Sequence, residues 1–315
     1  PMRPLSLALS VCLVFLLGCD TAALSPEPQV VVEAYLQADA PVPPVRLTRT
    51  TSVDAAYTPE TAAVEGAEVV LQRLRAGGGV AQTVDYAASD STPGLYTPAS
   101  AAPVVPQATY RLRATTLQDE TITATTTVPG RTTTVRTQND TTTYPGADAP
   151  APPQFTLTIA PGPTTANRQN VYVLTSRSLL DFQALSPDTL QRLLTPFYQD
   201  GFDAEDDTLA SLRVNSSGLL NEANFTQNTD STVTIRLPWL AVAFYGPNRI
   251  RASVVDDNYY DFLRTQTAQQ QSLAPGAIPN VIEHVEGGTG IFGSYARAGA
   301  TAVILPPDGA FSPGE

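Results

Sequence analysis

The sequence has no lysine, one histidine and two cysteines among its 315 residues. All 18 basic residues are arginine, and 30 acidic residues bring the formal charge to −12. Because binding to nucleic-acid phosphates requires clustered positive charge, this balance argues against a nucleic-acid-binding protein. Charged residues make up only 15% of the chain, against roughly 25% in typical domains. Many prolines, glycines and threonines replace them, which favours strands and turns over helical bundles.

Residues 1–18 have the features of an export signal. After a basic start, an apolar run over residues 5–17 is too short to span a membrane, which needs about 20 residues in a helix. The sequence Leu16–Cys19 resembles a bacterial lipobox, in which the cysteine sulfur is acylated and the preceding peptide is removed. We predict a signal peptide at residues 1–18, lipidation of Cys19 and a tether at residues 19–29. A secretory peptide with an incidental cysteine, or a short buried helix, is the alternative.

The low cysteine and histidine content limits which catalytic and metal-binding sites the mature chain could contain. With Cys12 in the removed segment and Cys19 acylated, the chain would hold neither a free thiol nor a disulfide. A cysteine nucleophile, a redox pair and a zinc-thiolate site are thereby excluded. His284 is the only histidine, so any Ser-His-Asp triad would have to use it, and a site built from several histidines is excluded. We expect no cofactor.

The first half of the chain alternates short β-prone runs with turn residues. Tyr110, Leu112 and Ala114 alternate with two arginines, as in a strand with one buried face. Seven such strands in succession predict an immunoglobulin- or fibronectin-like β-sandwich at residues 30–129, in which Tyr110 is compatible with a tyrosine corner. The predicted strands are Val30–Leu36, Val45–Thr50, Ala67–Arg73, Ala81–Asp85, Gly94–Thr97, Thr109–Thr116 and Glu120–Val128.

Residues 130–153 are rich in threonine, then in proline and alanine, without apolar periodicity. This composition predicts a linker or an exposed inter-domain loop, and threonines on the surface of an edge strand are the alternative.

Residues 154–315 predict a second β-rich domain with two short helices. Ser186 is placed to cap one helix that runs to about Leu194, and Asp257 to cap another from Asn258 to Gln271. The predicted strands are Gln154–Ile159, Asn170–Ser176, Thr208–Asn215, Thr232–Leu237 and Arg249–Val255.

Several sequence blocks, taken in order, resemble a known lipoprotein family. Besides the lipobox they are Val30–Leu36, Gly66–Leu71, Ala108–Ala114, the Thr-Val-Pro ending at Pro129, Tyr259–Leu263 and Gly287–Tyr295. They resemble the Bacteroidota lipoprotein family called domain of unknown function 4249. The most diagnostic block contains Gly287, Gly288, Gly290, Ile291, Phe292 and Gly293. The resemblance implies a lipid-anchored outer-membrane protein without an established activity, in a family often encoded near TonB-dependent receptors.

Two patterns are candidates for a ligand site. Gly288, Gly290 and Gly293 match the spacing of a dinucleotide-binding loop. Only 22 residues follow, which is too few for the required helix and crossover, so we predict a tight loop of a β domain.

Five carboxylates lie close together in the segment of residues 200–207. They could bind Ca²⁺, with Asp203, Glu205, Asp206 and Asp207 as the candidate ligands beside Asp200, or form a solvated acidic loop.

Aromatic residues form a third candidate, either a platform for sugars or a protein partner, or part of the core. They are Trp239, Phe244, Tyr245, Tyr259, Tyr260 and Phe262.

Taken together, these patterns predict a non-catalytic outer-membrane lipoprotein that binds or supports a partner, such as a TonB-dependent receptor or its ligand. A carbohydrate-active enzyme that uses paired carboxylates is one alternative. A structural or adhesive envelope protein is another. The sequence leaves open whether the protein faces the periplasm or the cell surface.

Overall fold

The computed structural model describes residues 27–52, 55–138, 140–145, 155–163, 169–202, 208–271 and 282–309. The described chain is mainly β, as predicted. Its first strands are β1 (Val30–Gln37), β2 (Val45–Arg49), β3 (Glu68–Leu74), β4 (Val80–Ala88), β5 (Leu95–Pro98), β6 (Thr109–Thr115), β7 (Thr121–Thr127), β8 (Thr133–Gln138) and β9 (Thr141–Thr143). The others are β10 (Phe155–Ala160), β11 (Val171–Ser178), β12 (Val214–Asn221), β13 (Thr226–Gln227), β14 (Val233–Leu237), β15 (Gly246–Val255), β16 (Val285–Glu286) and β17 (Thr289–Leu305). The helices are α1 (Pro187–Arg192), α2 (Pro196–Gly201) and α3 (Asp257–Gln271).

Two sheets contain the described strands. The larger has the order β12-β11-β15-β17-β1-β2-β5-β4-β3-β6-β7-β16, with β9 paired to the end of β17. The smaller has the order β13-β14-β10-β8. All seven strands predicted in the first half are present with small shifts at their ends.

The strands of the first half curl around one apolar core. Alternate residues of β1, β2, β3, β6 and β7 point into it, as period-two patterning requires. Tyr110 is buried in this core, and its hydroxyl accepts a hydrogen bond from the Val105 amide at 2.9 Å. A tyrosine hydroxyl bonded to the backbone a few residues upstream is the tyrosine-corner arrangement.

Strand β17 belongs to both halves of the molecule. Its first residues pair in parallel with β1, from Thr289 opposite Val31 to Tyr295 opposite Gln37, and its later residues pair antiparallel with β15. One face of β17 places Phe292 in the first core, and further along places Ala298, Ala302 and Ile304 in the second. The final strand therefore ties the two halves into one sheet, although the predicted domain bounds assign it to the second half alone.

The second half is a sandwich of two facing sheets. The smaller sheet contributes β10 and β14, and the larger contributes β11, β15 and the later part of β17. Between them lies a core that includes Leu157, Ile159, Ile235, Ile250 and Ala252, all almost fully buried.

Two parts of the predicted linker, Thr133–Gln138 and Thr141–Thr143, are strands. Strand β8 pairs with β10 as the edge of the smaller sheet, and β9 pairs with β17. The alternative, threonines on an edge strand, accounts for β8. Alternation along this segment is hidden because threonine occupies positions on both faces and is common in strands.

Two local predictions in the second half are also corrected. The predicted strand Thr208–Asn215 begins too early: Ser211–Arg213 form a short 3-10 helix and β12 starts only at Val214, because Leu209 and Leu212 pack into a small cluster beside α1 and α2. Helix α3 is capped by Asp256, not by Asp257: the Asp256 carboxylate accepts the Tyr259 amide at 3.0 Å. At α1 the Ser186 hydroxyl accepts the Thr189 amide at 3.2 Å, so that predicted cap is confirmed.

Candidate functional site

The glycine-rich block forms the entry into β17 and lets that strand approach β1 closely. Gly287 and Gly290 have positive φ angles of 76° and 108°. A Cβ at Gly287 would lie 2.2 Å from the Thr121 carbonyl oxygen, and one at Gly290 would lie 2.2 Å from that of Val32. At Gly288 a Cβ would lie 2.5 Å from the Val30 carbonyl oxygen. Because no other residue fits these positions, the glycines serve the packing of the strand.

The remaining residues of this block are buried or tightly packed. Ile291 is 4% exposed, Phe292 is 1% exposed, and a Cβ at Gly293 would lie 3.0 Å from Tyr259. Strand β17 begins within the block, at Thr289, whereas a dinucleotide-binding loop must be followed by a helix. Only Gly287 and Gly288 lie in a turn, whereas Gly290 and Gly293 are part of β17, so the predicted tight loop is confined to the first residues of the block.

A buried carboxylate joins the glycine-rich strand to the helix and to β7. Asp256 accepts the amides of Tyr259 and Ser294, each at 3.0 Å, and also the hydroxyl of Thr126. The Ser294 hydroxyl lies 2.8 Å from the Thr126 hydroxyl. Burial raises the pKa of Asp256, and its hydrogen bonds partly offset that effect. This hydrogen-bond network holds α3 in position. The groups that bond to Asp256 all belong to the protein, which indicates a structural role for this carboxylate.

The single histidine lies in a surface groove. His284 Nε2 is 2.9 Å from Asp261 Oδ2, and Asp261 also lies 3.8 Å from Arg264. The groove is lined by Arg111, Thr123, Thr125, Glu283 and Glu286 as well as His284. This His–Asp pair corresponds to two of the three side chains of a Ser-His-Asp catalytic triad. No serine is among the described residues that line this groove.

Of the five acidic residues considered as Ca²⁺ ligands, only Asp200 is among the described residues. Asp203, Glu205, Asp206 and Asp207 lie outside the described residues, and Asp200 is exposed near the end of α2. Within the described ranges, no group of three or more His, Cys, Asp or Glu side chains is arranged to hold a metal ion.

The six aromatic residues do not form one platform. Trp239, Phe244 and Tyr245 are buried in the second half of the molecule. Tyr259 and Tyr260 lie on α3 and pack against a different cluster, built on β11 and β15. For the first three, the core interpretation is therefore correct.

A cavity of about 400 Å³ opens between the two sheets of the second sandwich. We call it the inter-sheet cavity. Leu174 of β11, Leu220 of β12, Phe225, Leu237 of β14 and Leu240 supply most of its apolar lining. Its volume and apolar character are those of a small-molecule or side-chain binding site. Sequence reasoning missed it, because its residues come from strands that are far apart in the chain.

Polar groups in the lining of the inter-sheet cavity are largely bonded to the backbone. The Tyr198 hydroxyl donates to the Leu240 carbonyl at 2.8 Å, and the Ser176 hydroxyl donates to the Ala241 carbonyl. The Ser217 hydroxyl accepts the Leu174 amide at 3.0 Å. Arg236 is the one charged side chain among the described lining residues. An occupant would therefore meet an apolar surface with one cation at its margin.

One exposed apolar side chain lines the inter-sheet cavity, and another lies beside one of its lining residues. Leu240 lines it and is 54% exposed. Phe197 is 61% exposed, and its ring centroid lies 5.2 Å from that of Tyr198, another lining residue. Large exposed apolar groups beside an apolar cavity are typical of an interaction site.

The predicted lipidation site, Cys19, lies outside the described residues. Among the residues that are described, no helix has the length and hydropathy of a membrane span.

Comparison with known proteins identifies a family but no activity. The chain matches no curated protein. It is 13% identical to trypsin-activated alpha-2-macroglobulin from Escherichia coli, covering 86% of this chain and 15% of that one, with a TM-score of 0.21. It is 8% identical to Dpr2 Ig1-Ig2 in a complex with DIP-Theta Ig1-Ig3, covering 88% of this chain and 98% of that one, with a TM-score of 0.25. These likenesses are too remote to indicate function. The model of the domain of unknown function DUF4249 matches residues 19–300, and the chain therefore belongs to that family.

Proposed function

We propose that this protein is a non-catalytic lipoprotein of the outer membrane that binds a partner protein through the inter-sheet cavity. The Leu16–Cys19 sequence supports an acyl anchor at Cys19. Two or three acyl chains would hold the protein on a membrane essentially permanently. The residues after Cys19 up to about residue 29 would then serve as the tether.

The observation that carries the proposal is the inter-sheet cavity, with the exposed side chain of Leu240 in its lining and that of Phe197 beside the lining residue Tyr198. Leu240 and Phe197 are each a little over half exposed, so burying the rest of their surface against a partner would stabilise a complex by roughly 2–3 kcal/mol before the costs of association. A partner that inserts an apolar side chain into the cavity would remove Leu240 from water, and its flanking surface would have to cover Phe197. The cation of Arg236 would favour an acidic or carbonyl group beside that side chain.

The partner class that we propose is a TonB-dependent receptor in the same membrane. Its support is the resemblance of the sequence blocks to a family often encoded beside such receptors. A lipid anchor would confine both proteins to one surface and so raise their effective concentration.

Hydrolysis is less well supported by this site. A carboxylate-based glycosidase needs two acidic side chains about 5–10 Å apart in one cleft. None of the described residues that line the inter-sheet cavity is Asp or Glu.

The proposal is tested by co-purification from native membranes after mild chemical crosslinking. The wild type should recover a TonB-dependent receptor, and Leu240→Asp should lose it, because a charge would be placed in the apolar lining. Leu117→Asp is the matched control, since Leu117 is 72% exposed but lies in the β6–β7 turn. Equal recovery with both variants, or an isolated monomer from wild-type membranes, would contradict the proposal.

A further inference from the structure

Four arginines share the outward face of the larger sheet in the second sandwich. Arg177 lies on β11, Arg249 and Arg251 lie on β15, and Arg297 lies on β17. Arg177 is directly opposite Arg249, and Arg297 is opposite Ser253, which follows Arg251 by two residues. Because opposed residues and alternate residues point to the same side of a sheet, the four side chains form one group. We call them the arginine patch.

The patch lies beside helix α3 rather than beneath it. The helix packs on Val171, Val173 and Val255 at one end of this sheet face. Beyond it the arginines follow, and the opposite face of the same strands carries Ile250 and Ala252 into the core. The patch therefore stands on a rigid, well-packed support.

Two of the arginines are held in place by their surroundings. Arg297 Nε donates to the Ser253 hydroxyl at 3.2 Å, and its guanidinium lies 4.6 Å from the Tyr295 ring centroid. Arg251 runs across Gly299, where a Cβ would lie 2.9 Å from Arg251 Cγ. Ordering the side chains before a ligand arrives lowers the entropy lost on binding.

The positive charges of the patch face one another without a described carboxylate partner. Arg49, Arg131 and Arg264 form ion pairs with carboxylates, and none of them belongs to the patch. Burial lowers the pKa of Arg251, and the charges of Arg297, Arg249 and Arg177 lower it further. In a chain with a formal charge of −12, this concentration of unneutralised cations is a local exception.

We propose that the arginine patch binds a soluble ligand that carries two or more phosphate groups. Guanidinium groups bind phosphate oxygens through paired hydrogen bonds, and each terminal phosphate carries nearly two negative charges at neutral pH. Two such groups would balance the four arginines. Cross-strand neighbours lie ~5 Å apart and alternate residues on one strand lie ~7 Å apart, so a compact oligophosphate can contact several of them at once.

The overall charge of the protein favours a soluble ligand over a phospholipid surface. An anionic membrane would meet the acidic body of the protein as well as the patch, and would be repelled by it. A small ligand within about 10 Å of the patch is screened from the more distant acids at physiological salt.

The experiment is calorimetric titration of the full chain, in non-ionic detergent, with inorganic tripolyphosphate and with orthophosphate. Tripolyphosphate should bind more tightly than orthophosphate and more weakly as salt is raised. Arg251→Gln and Arg297→Gln should each weaken tripolyphosphate binding about tenfold. Arg113→Gln, which removes an exposed arginine from β6, should leave it unchanged. No heat with the wild type, or an equal loss with the control, would overturn the proposal.

Two further measurements distinguish the soluble ligand from a purely structural role of Arg251 and from a lipid ligand. A structural role predicts that Arg251→Gln lowers the melting temperature, whereas our proposal predicts no decrease, since the change relieves repulsion. Binding to phosphatidylglycerol vesicles, compared with phosphatidylcholine vesicles, tests a lipid source. If Arg251→Gln reduces binding to the anionic vesicles selectively, the soluble ligand is refuted; if both proteins bind both vesicles equally, it is supported.

Discussion

Replacing Asp256 by alanine should destabilise the protein strongly, because this residue caps α3 and links it to the glycine-rich strand. The side chain is 6% exposed and accepts three hydrogen bonds, from Tyr259, Ser294 and Thr126. Loss of the cap costs about 1 kcal/mol. Each of the other two buried donors left unpaired costs about 1–2 kcal/mol. The expected total is roughly 3–5 kcal/mol, or a decrease of roughly 6–20 °C in melting temperature.

Thermal unfolding followed by circular dichroism tests this prediction, with Asp257→Ala as the matched control. Asp257 is exposed in the first turn of the same helix, so its removal should cost no more than about 1 kcal/mol through the helix dipole. If the two variants melt at the same temperature, or if Asp257→Ala is the less stable one, the assignment of the cap is wrong.

The same residue also gives a pH dependence with a defined sign. Burial raises the pKa of Asp256 above its ordinary value of 3.8, so the folded state holds this proton more tightly than the unfolded state does. The resulting stabilisation is present in full below the ordinary pKa and is lost as pH rises through the folded-state pKa. Asp256→Asn should keep most of the stability and remove this part of the pH dependence. An unchanged profile of melting temperature against pH in Asp256→Asn would refute the assignment.

Three other perturbations have defined outcomes. Gly290→Ala should lower the melting temperature well below that of Gly78→Ala. Both glycines have positive φ angles, but only Gly290 has a backbone oxygen where the methyl group would lie. Equal melting temperatures of the two variants would contradict the close packing of β17 on β1. Tyr110→Phe should cost about 1 kcal/mol in denaturant unfolding through loss of the hydrogen bond to Val105, and no change would mean that this bond is unimportant. Cys19→Ser should release the protein from the membrane fraction and abolish labelling by a fatty-acid analogue, whereas membrane retention of the variant would refute the anchor.

Local patterns in the sequence predict the strands of the first half well. The alternation of polar and apolar residues identifies a single strand and the face that it buries, as in the strand that contains Tyr110. It does not indicate which strands pair with one another. The threonines of β8 carry no such signal, since threonine suits either face. At the start of α3 two adjacent aspartates are both suitable caps, and the choice of Asp256 depends on Ser294 and Thr126, which are distant in sequence.

The long-range features could not be derived in the same way. The glycine-rich block predicts a tight loop, but the pairing of β17 with β1 joins residues near 31 to residues near 289. The inter-sheet cavity and the arginine patch depend on the strand order and register of the second sandwich. The residues themselves are visible in the sequence, but their neighbours become apparent only once the sheets are formed.

The proposed function depends most on the inter-sheet cavity as a site for a partner protein. A photo-reactive amino acid introduced at position 240 in living cells tests this directly, with position 117 as the reference. We predict that illumination couples position 240, and not position 117, to a TonB-dependent receptor identified by mass spectrometry. Coupling to that receptor from both positions, or from neither, would contradict the proposed function.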